Sequence, residues 1–148
     1  MTFRSKIDSF FIRILFAAIL FIAAVSFIPL WFDDAPLSAF VIVTSTFFVT
    51  TALILWTTFA IHYIFKENHL VVKAGPFRSR IPYNSILKVA PTRDIFTGYR
   101  LLSSRDALEL INNTTMFGTV KISPENQEAF IAELKKRCPE LKLDERLS

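Results

Sequence analysis

Few residues of this chain are of a type that supports catalysis or metal binding, and their spacing argues against both. His62 and His69 have no acid-rich partner at ligand spacing, so we interpret them as interfacial or surface side chains. The single cysteine, Cys138, excludes an internal disulfide and a multi-cysteine zinc site. The run Ser103–Asp106 has no histidine base, and the three glycines are too far apart to cradle a phosphate. We therefore expect no catalytic residue, no metal site, no cofactor and no enzymatic activity.

Basic residues dominate the stretch from residue 73 to residue 105, where Asp94 is the single acid. Anionic lipid headgroups attract a basic side chain near the membrane surface by about 1 kcal/mol. We therefore predict a contact surface for the membrane or for a partner protein, formed by Lys73, Arg78, Arg80, Lys88, Arg93, Arg100 and Arg105. The alternative is that these are ordinary solvated positions, enriched by the positive-inside bias. Nucleic acid is not an expected partner, because the patch is short and its aromatic residues do not interleave as a stacking platform requires.

Two long uncharged runs precede this basic stretch and must determine where it lies. One run lies between Arg13 and Asp33, and the other lies between Asp34 and Lys66. Each is long enough to cross a hydrocarbon core of about 30 Å, which takes about 20 helical residues. The runs explain a mean hydropathy of +0.41, which is high for a soluble protein. We predict a transmembrane hairpin of two helices, joined by an acidic turn, over residues 10–32 and 37–60.

The first run follows a short basic N-terminus, as a secretory signal does. It is longer than a usual signal core, however, and it closes with Pro29–Phe32 instead of a small-residue cleavage pattern. A second spanning run also follows it, so we predict an uncleaved anchor. The second run carries several threonines, which permit close helix packing. It lacks the intramembrane acids and histidines of a transport path, so we favour packing over transport.

Charges at the ends of the hairpin predict its orientation. Basic residues flank the N-terminus and follow the second helix, whereas the connecting turn is purely acidic. By the positive-inside rule, both termini face the cytoplasm. With 148 residues in the chain, fewer than about 90 remain for one compact module. We predict the hairpin over residues 1–60, a polar domain over residues 61–139 and a charged, frayed tail over residues 140–148.

Beyond residue 60 the hydrophobic pattern changes to the period of two that is typical of β-strands. Five strands are predicted, over residues 62–68, 69–75, 77–83, 107–111 and 118–122. The segment that carries Ile86, Leu87 and Val89 is predicted to be a loop or a helical turn, and residues 92–99 are predicted to be a loop. The two later strands should pair and supply core residues, namely Leu108, Leu110, Val120 and Ile122.

A helix is predicted to close the polar domain. Ser123 is a suitable N-cap, Pro124 suits the first helical position, and Glu125 favours the positive end of the helix dipole. Pro139 should end the helix. One apolar face of this helix is formed by Phe130, Ile131, Leu134 and Cys138.

Five segments of the polar domain carry a family resemblance: Leu70–Phe77, Ile81–Ile86, Leu102–Arg105, Leu108–Leu110 and Ile122–Asn126. In order and spacing they resemble the short bacterial pleckstrin-homology-like (PH-like) family, over about residues 61–139. The resemblance implies a sheet-rich barrel or sandwich closed by a C-terminal helix, with no established enzymatic activity. Members often carry one or two N-terminal membrane helices, and some related membrane-anchored members are implicated in immunity to bacteriocins. One departure is that Asp106 follows Arg105 where the family more often runs directly into an apolar strand, which leaves the register of that strand open.

We therefore predict a membrane-anchored α+β protein, in which a two-helix transmembrane hairpin precedes a small PH-like antiparallel β barrel or sandwich with a C-terminal α-helix. The leading hypothesis is a non-enzymatic, multi-pass protein of the bacterial cytoplasmic membrane. Its module would bind the anionic leaflet, or a membrane or cytoplasmic protein. The alternative is a self-protection factor of the immunity type that intercepts a membrane-active peptide. Its oligomeric state does not follow from the sequence.

Overall fold

Two long helices follow the first residues in the computed structural model, which describes residues 1–32, 34–94 and 96–147. Helix α1 covers Ser9–Phe32 and helix α2 covers Leu37–Phe59. Both are long and apolar enough to cross a membrane, with mean hydropathies of 2.6 and 2.0, and neither contains a buried residue. They meet through the rings of Phe27 and Phe47, whose centroids lie 5.5 Å apart in an edge-to-face arrangement. The predicted pair of apolar helices is confirmed, whereas Asp33, in the predicted acidic turn, lies outside the described residues.

The polar part of the chain forms two β-sheets and a closing helix. The first sheet is antiparallel, and its strands in spatial order are β1 (Thr2–Arg4), β2 (Ile61–Phe65), β3 (His69–Ala74) and β4 (Phe77–Pro82). The second sheet contains β5 (Ile86–Thr92), β6 (Tyr99–Leu101), β7 (Ala107–Asn112), β8 (Thr119–Ile122) and β9 (Lys142–Leu143). Its spatial order is β6-β8-β7-β5-β9, and the outer pairs β6–β8 and β5–β9 are parallel. Helix α3 covers Gln127–Arg137, which confirms the predicted α+β sandwich with a C-terminal helix.

The turn between β3 and β4 fixes the register of these strands. Gly75 has φ of 57°, and the proline ring holds the next residue, Pro76, at negative φ. A positive φ at the first central residue is typical of the type II′ turn, which suits the twist of a tight hairpin. Ala74 therefore pairs with Phe77, and the pairing continues without a bulge to the end of β4.

Side chains that alternate along the strands form one hydrophobic core between the sheets and α3. The predicted core residues Leu108, Leu110, Val120 and Ile122 are all fully buried. Phe130 and Leu134 of α3 are fully buried as well, and Cys138 is nearly so, which confirms the predicted apolar face. The aromatic centre of this core is Phe130, which contacts the rings of Phe3, Tyr63 and Phe65. Burial of such side chains is the main source of stability for a module of this size.

The N-terminal residues belong to the first sheet, although the sequence assigns them only to a polar leader of the hairpin. Strand β1 pairs with β2, so that Phe3 lies opposite Tyr63. Ser5 and Ile7 extend the contact as single bridges to Pro124 and Ser103. A three-residue strand has too short an alternation to be recognised from the sequence. Its position depends on the hairpin, which returns the chain to the place where it began.

Two predicted loops contain strands. The segment predicted as a loop or turn begins with a short 3-10 turn, Tyr83–Ser85, and then continues as β5. Strand β6 begins within the second predicted loop, at Tyr99, and pairs with β8. Pro91 and the polar neighbours of these strands weaken their hydrophobic pattern, and only the cross-strand partners make the strands recognisable.

Two further expectations about the C-terminal region are wrong. Helix α3 is capped by Asn126, whose side chain accepts the backbone N–H of Ala129 at 3.0 Å, so the helix begins three residues later than predicted. Ser123 is instead buried at the junction of the two sheets. The tail is not frayed, because β9 pairs with β5 and the backbone N–H of Asp144 donates to Val89. The leucines Leu141, Leu143 and Leu147 hold this tail against the core.

Candidate functional site

The first helix is fastened to the sheet domain through Asp8, which caps its N-terminus. One carboxylate oxygen of Asp8 accepts the backbone N–H of Phe11 at 2.7 Å. The other accepts the Ser104 hydroxyl at 2.9 Å and the backbone N–H of Arg105 at 2.7 Å. Burial alone would raise the pKa of Asp8, but the hydrogen bonds, that from Arg105 foremost, outweigh it and hold this pKa below its usual value. The start of α1 is thereby attached to the loop that precedes β7.

The second helix is fastened to the same loop at its C-terminal end. The hydroxyl of Ser103 donates to the carbonyl oxygen of Thr58 at 2.9 Å, which satisfies one of the free carbonyls of the last helical turn. The turn between β3 and β4 touches this end as well, because the backbone N–H of Gly75 donates to the carbonyl of Ala60 at 3.3 Å. A Cβ atom at Gly75 would lie 3.2 Å from the Cα of Thr57, so a larger residue would have to displace the end of α2 slightly, and it would also be strained at the positive φ of this position. The β3–β4 turn therefore lies level with the end of α2.

Beneath these attachments, a buried hydroxyl network joins both sheets. The fully buried Tyr63 hydroxyl donates to the carbonyl of Leu101 at 2.5 Å and accepts the backbone N–H of Ser123 at 3.0 Å. The hydroxyls of Ser5 and Ser123 lie 2.9 Å apart, and the Ser123 hydroxyl accepts the backbone N–H of Ser103 at 3.0 Å. Burial raises the pKa of Tyr63, so its hydroxyl remains a donor. The network makes the junction rigid, because breaking any bond would leave a buried polar group unpaired.

Several of the predicted basic contact residues lie on the junction side of the domain. Lys73 and Arg78 are directly opposite each other in the β3–β4 register, one residue away from the turn that touches α2. Phe77, the preceding residue of β4, is 61% exposed and projects from the other face of this hairpin, where it lines a cavity with Thr57 at the end of α2. The Arg105 guanidinium lies 4.3 Å from the ring centre of Phe10, in the first turn of α1. These side chains therefore lie next to the helix ends.

Two of the other four predicted contact residues, Arg80 and Lys88, are separated from this group, whereas Arg93 and Arg100 lie at the end of the second sheet that is near the helices. Arg80 is on β4 and lines a groove at the opposite end of the domain. Lys88 forms an ion pair with Asp144 of the tail at 3.2 Å. Arg93 is exposed in the loop after β5. Arg100 lines a cavity of about 370 Å³ beside the end of α2. The seven residues that are close in sequence thus do not form one continuous surface.

A basic residue that the sequence analysis did not select also lies at the junction. Lys6 forms an ion pair with Asp106 at 2.9 Å, across the start of α1. Its proximity to the loop before β7 follows from β1, which the sequence does not reveal. No local pattern around Lys6 would have selected it.

A groove lies at the end of the domain that is distant from the helices. It has a volume of about 1190 Å³ and is lined along one side by Arg80, Pro82 and Tyr83. The segment from Arg137 to Lys142, between α3 and β9, lines the other side. Charged side chains of both signs border it, among them Glu67, Arg80 and Glu140. The groove is large enough to hold an extended polypeptide segment.

The wall of this groove is held in place by Arg137. Its guanidinium forms two hydrogen bonds with one carboxylate oxygen of Glu133, at 2.7 and 3.0 Å, and donates to the carbonyl of Lys66 at 2.8 Å. The Tyr83 hydroxyl donates to the same carbonyl at 2.7 Å. Burial raises the pKa of Cys138, so the thiol beside Tyr83 remains protonated and unreactive at neutral pH. The groove therefore has a wall held by hydrogen bonds and no reactive thiol, as suits a surface that binds a partner without chemistry.

The described residues show neither a metal-binding cluster nor a histidine paired with an acid or a hydroxyl. No three histidine, cysteine or carboxylate side chains within residues 1–32, 34–94 and 96–147 are grouped to hold a metal ion. His62 directs its Nδ1 atom at the carbonyl of Ala60 at 3.2 Å, and His69 borders the groove. Neither histidine forms a hydrogen bond with a serine or a carboxylate among the described contacts. The described residues therefore offer two surfaces for binding, the junction side and the groove.

Comparison with known proteins gives a consistent result. The family model described as "Bacterial PH domain" matches residues 61–138. The chain is also similar to "Uncharacterized protein YyaB" of Bacillus subtilis (strain 168), with 31% identity over 140 residues. That alignment covers 93% of this chain and 92% of the relative. No solved structure matches.

Proposed function

The chain belongs to the bacterial PH domain family, and from this premise we propose that it is a non-enzymatic integral membrane protein whose PH-like module contacts the cytoplasmic leaflet of a bacterial membrane. One observation carries the proposal, namely that both helix ends are fastened to the module. Asp8 joins the start of α1 to the loop before β7, and Ser103 joins the end of α2 to the same loop. No flexible linker separates α2 from β2, since only Ala60 lies between Phe59 and Ile61. The module therefore has one preferred orientation relative to the helices.

In this orientation, an apolar anchor and two basic side chains would lie where the leaflet begins. The exposed Phe77 follows the turn that touches Thr57, so its ring lies level with the end of α2. Aromatic rings favour the interface between hydrocarbon and headgroups. Lys73 and Arg78 lie one residue further from the membrane, a distance of about 3.3 Å along a strand. Their long side chains reach back to headgroup phosphates while their stems cover apolar surface.

The register of Lys73 and Arg78 and the side chains around them favour the binding of an anionic ligand. Lys73 and Arg78 face each other across the hairpin, and like charges in this arrangement destabilise a sheet. None of the carboxylates that the structure describes lies within ion-pair distance of either side chain. Phosphate groups of the leaflet would relieve this repulsion and add about 1 kcal/mol of attraction for each charge.

A tryptophan substituted for Phe77 tests the contact in the full-length protein. In a chain that carries Trp31→Phe and Trp56→Phe, we expect the fluorescence of Phe77→Trp to be quenched by brominated lipids in anionic vesicles. The matched control is Phe117→Trp, because Phe117 is 62% exposed, against 61% for Phe77, but lies in the β7–β8 turn at the other end of the domain. Equal quenching of the two tryptophans would contradict the proposed orientation.

Charge dependence supplies a second arm of this experiment. Replacing both Lys73 and Arg78 with Gln should reduce the quenching of the residue-77 tryptophan at low salt. The reduction should become smaller as salt rises, because screening acts over about 8 Å at physiological ionic strength. The same replacement at Lys135, which is exposed near the end of α3 that borders the groove, should leave the quenching unchanged. Quenching that is insensitive to both Lys73 and Arg78 would leave Phe77 as the sole contact and contradict the role of the cations.

A further inference from the structure

Strand β4 is an edge of the first sheet with an unpaired side. In the spatial order β1-β2-β3-β4, β3 pairs with one side of β4, and none of the described strands pairs with the other. The opposite edge of the sheet, β1, has only three residues, whereas β4 has six. A free strand edge presents a row of backbone donors and acceptors that can accept another strand.

The register shows which backbone groups point outward. In a two-residue hairpin, the pair next to the turn exchanges both hydrogen bonds, and such pairs then alternate along the strands. Ala74–Phe77, Val72–Ser79 and Leu70–Ile81 are thus the hydrogen-bonded pairs. The same parity continues beyond β4, where the backbone N–H of Tyr83 donates to Asn68 at 3.3 Å.

The backbone N–H and C=O groups of Arg78 and Arg80 therefore face the free edge. Pro82 has the same parity, and a proline at this position costs no hydrogen bond within the sheet. Arg80 and Pro82 also line the groove described above, so the free edge opens into it. An added strand has room there, between β4 and the segment from Arg137 to Lys142.

The charge along this edge selects an acidic ligand. Arg78 and Arg80 are both exposed, and because they are two residues apart they project on the same outer face of the sheet. Ile81, the next residue after Arg80, is fully buried, which agrees with side chains that alternate between the outer face and the core along β4. No carboxylate in the described part of the chain lies within ion-pair distance of Arg80. Acidic side chains at alternate positions of an added strand would lie next to both guanidinium groups.

The same charges argue against a second copy of this chain as the occupant. Two β4 strands that pair antiparallel would bring the arginines of one copy beside those of the other. Like charges across a strand pair are destabilising, and charged residues on an edge are a known protection against self-association. The charge pattern thus favours a partner of opposite sign.

We propose that the free edge of β4 binds an extended, acidic segment of a partner protein, which adds to the first sheet as a further strand and extends into the groove. Residues 78–82 offer an edge of about 16 Å, which is enough for a segment of about five residues. Backbone hydrogen bonds to Arg78 and Arg80 hold the segment, and the side chain of Arg80, which borders the groove, selects acidic residues. This inference goes beyond the proposed leaflet contact, because it uses the backbone of β4 and the groove that is distant from the helices.

The experiment selects ligands from a library of random eight-residue peptides displayed on phage. The target is the full-length protein in nanodiscs of zwitterionic phosphatidylcholine, so that anionic lipid does not compete. We expect enriched peptides with acidic residues at alternate positions. The affinity of a fluorescent copy of an enriched peptide is then measured by anisotropy for each protein variant.

Three substitutions of one residue separate backbone pairing from charge. Arg80→Pro removes an outward N–H and a charge but no bond within the sheet, and it should weaken binding at least about tenfold, since each lost hydrogen bond with a charged group costs about that factor. Arg80→Gln removes only the charge and should weaken binding less. Arg80→Glu keeps the backbone intact and should shift the selection from acidic to basic peptides. Arg93→Gln, outside the groove, should have no effect.

Several results would overturn the proposal. These are the absence of any enriched peptide, enrichment without acidic residues, and unchanged affinity for Arg80→Pro in a protein that melts like Arg80→Gln. An Arg80→Glu variant that selects the same acidic peptides would overturn it as well. If Arg80→Gln lowers affinity for phosphatidylglycerol vesicles and no acidic peptide is enriched, the edge contacts lipid instead of a protein. The quenching of the residue-77 tryptophan is measured separately, so failure here leaves the leaflet contact to stand or fall by itself.

Discussion

Asp8 shows how one side chain connects the hairpin to the module. Its carboxylate caps α1 through the backbone N–H of Phe11 and accepts two further hydrogen bonds from Ser104 and Arg105. Each of these donors would be left without a partner in the absence of the carboxylate. The neighbouring acid Asp106 is different, because its ion pair with Lys6 is largely exposed and is screened by solvent.

We expect Asp8→Ala to lower the free energy of unfolding of the full-length protein by about 1–2 kcal/mol, the usual cost of a lost N-cap. Asp106→Ala should change it by less than about 0.5 kcal/mol, as is typical of an exposed pair. Denaturant unfolding in detergent micelles measures both. Equal effects of the two substitutions would show that the cap is not a special attachment.

The same residue predicts a dependence on pH. Because the pKa of Asp8 is lowered in the folded protein, its contribution to stability is complete above the unfolded pKa of about 3.9 and is lost as the pH falls through the lower, folded value. The difference in stability between wild type and Asp8→Ala should therefore be constant near neutral pH and shrink below about pH 4. A difference that shrinks between pH 6 and 8 would point to another group.

At the scale of elements, β1 shows that the folded module includes residues that precede the hairpin. The ring of Phe3 contacts Phe65 with centroids 5.7 Å apart and Phe130 with centroids 5.4 Å apart. A soluble fragment that begins at Ile61 would lack these contacts and would leave the edge of β2 unpaired. Asp8 and Thr58 both bond to Ser103, so a short linker can replace the helices and keep β1.

We expect a shortened chain in which residues 1–8 are linked directly to residues 60–147 to be more stable than residues 60–147 alone. Within the linked chain, Phe3→Ala should cost about 2 kcal/mol, as for a largely buried aromatic side chain. Thr2→Ala, at an exposed position of the same strand, is the control. Melting temperatures measure the stability of each of these proteins. A fragment without β1 that melts like the linked chain would refute a stabilising role for this strand.

At the scale of the whole molecule, the start of α1, the end of α2 and the sheet domain all lie at the same end of the helical hairpin. Strand β1 precedes α1 and pairs with β2, which follows α2. Both termini must therefore lie on the same side of any membrane that the two helices cross. By the positive-inside rule, we expect that side to be the cytoplasm.

Reporter fusions test this orientation. A reporter that is active only in the cytoplasm should be active when it is fused after Ser148 and inactive when it is inserted at Asp34, between the helices. The expectation follows from the basic residues on the side of the module and the acidic turn between the helices. The reverse pattern would place the module outside the cytoplasm and would contradict the proposed contact with the cytoplasmic leaflet.

Much of the architecture follows from local pattern. The two uncharged runs predict α1 and α2, because a membrane span requires about 20 consecutive apolar residues. Alternation predicts β2, β3, β4, β7 and β8, and the apolar face predicts α3, because each pattern is completed within a few turns or residues of the chain. Leu110 and Phe130 are examples of core residues that are evident in this way, and both are fully buried.

Tertiary structure alone decides the rest. Strand β1, the tail strand β9 and the displaced start of α3 depend on partners that are far away in sequence, such as Ser123 for Ser5 and Val89 for Asp144. The basic residues illustrate the same limit, because Lys73 and Arg78 meet at the junction while Arg80, two residues further, borders the groove. Hydrophobic periodicity is a local property that a sequence displays directly. Which unpaired edge or free hydroxyl meets which partner depends on the path of the chain between them, and that path exists only in the folded protein.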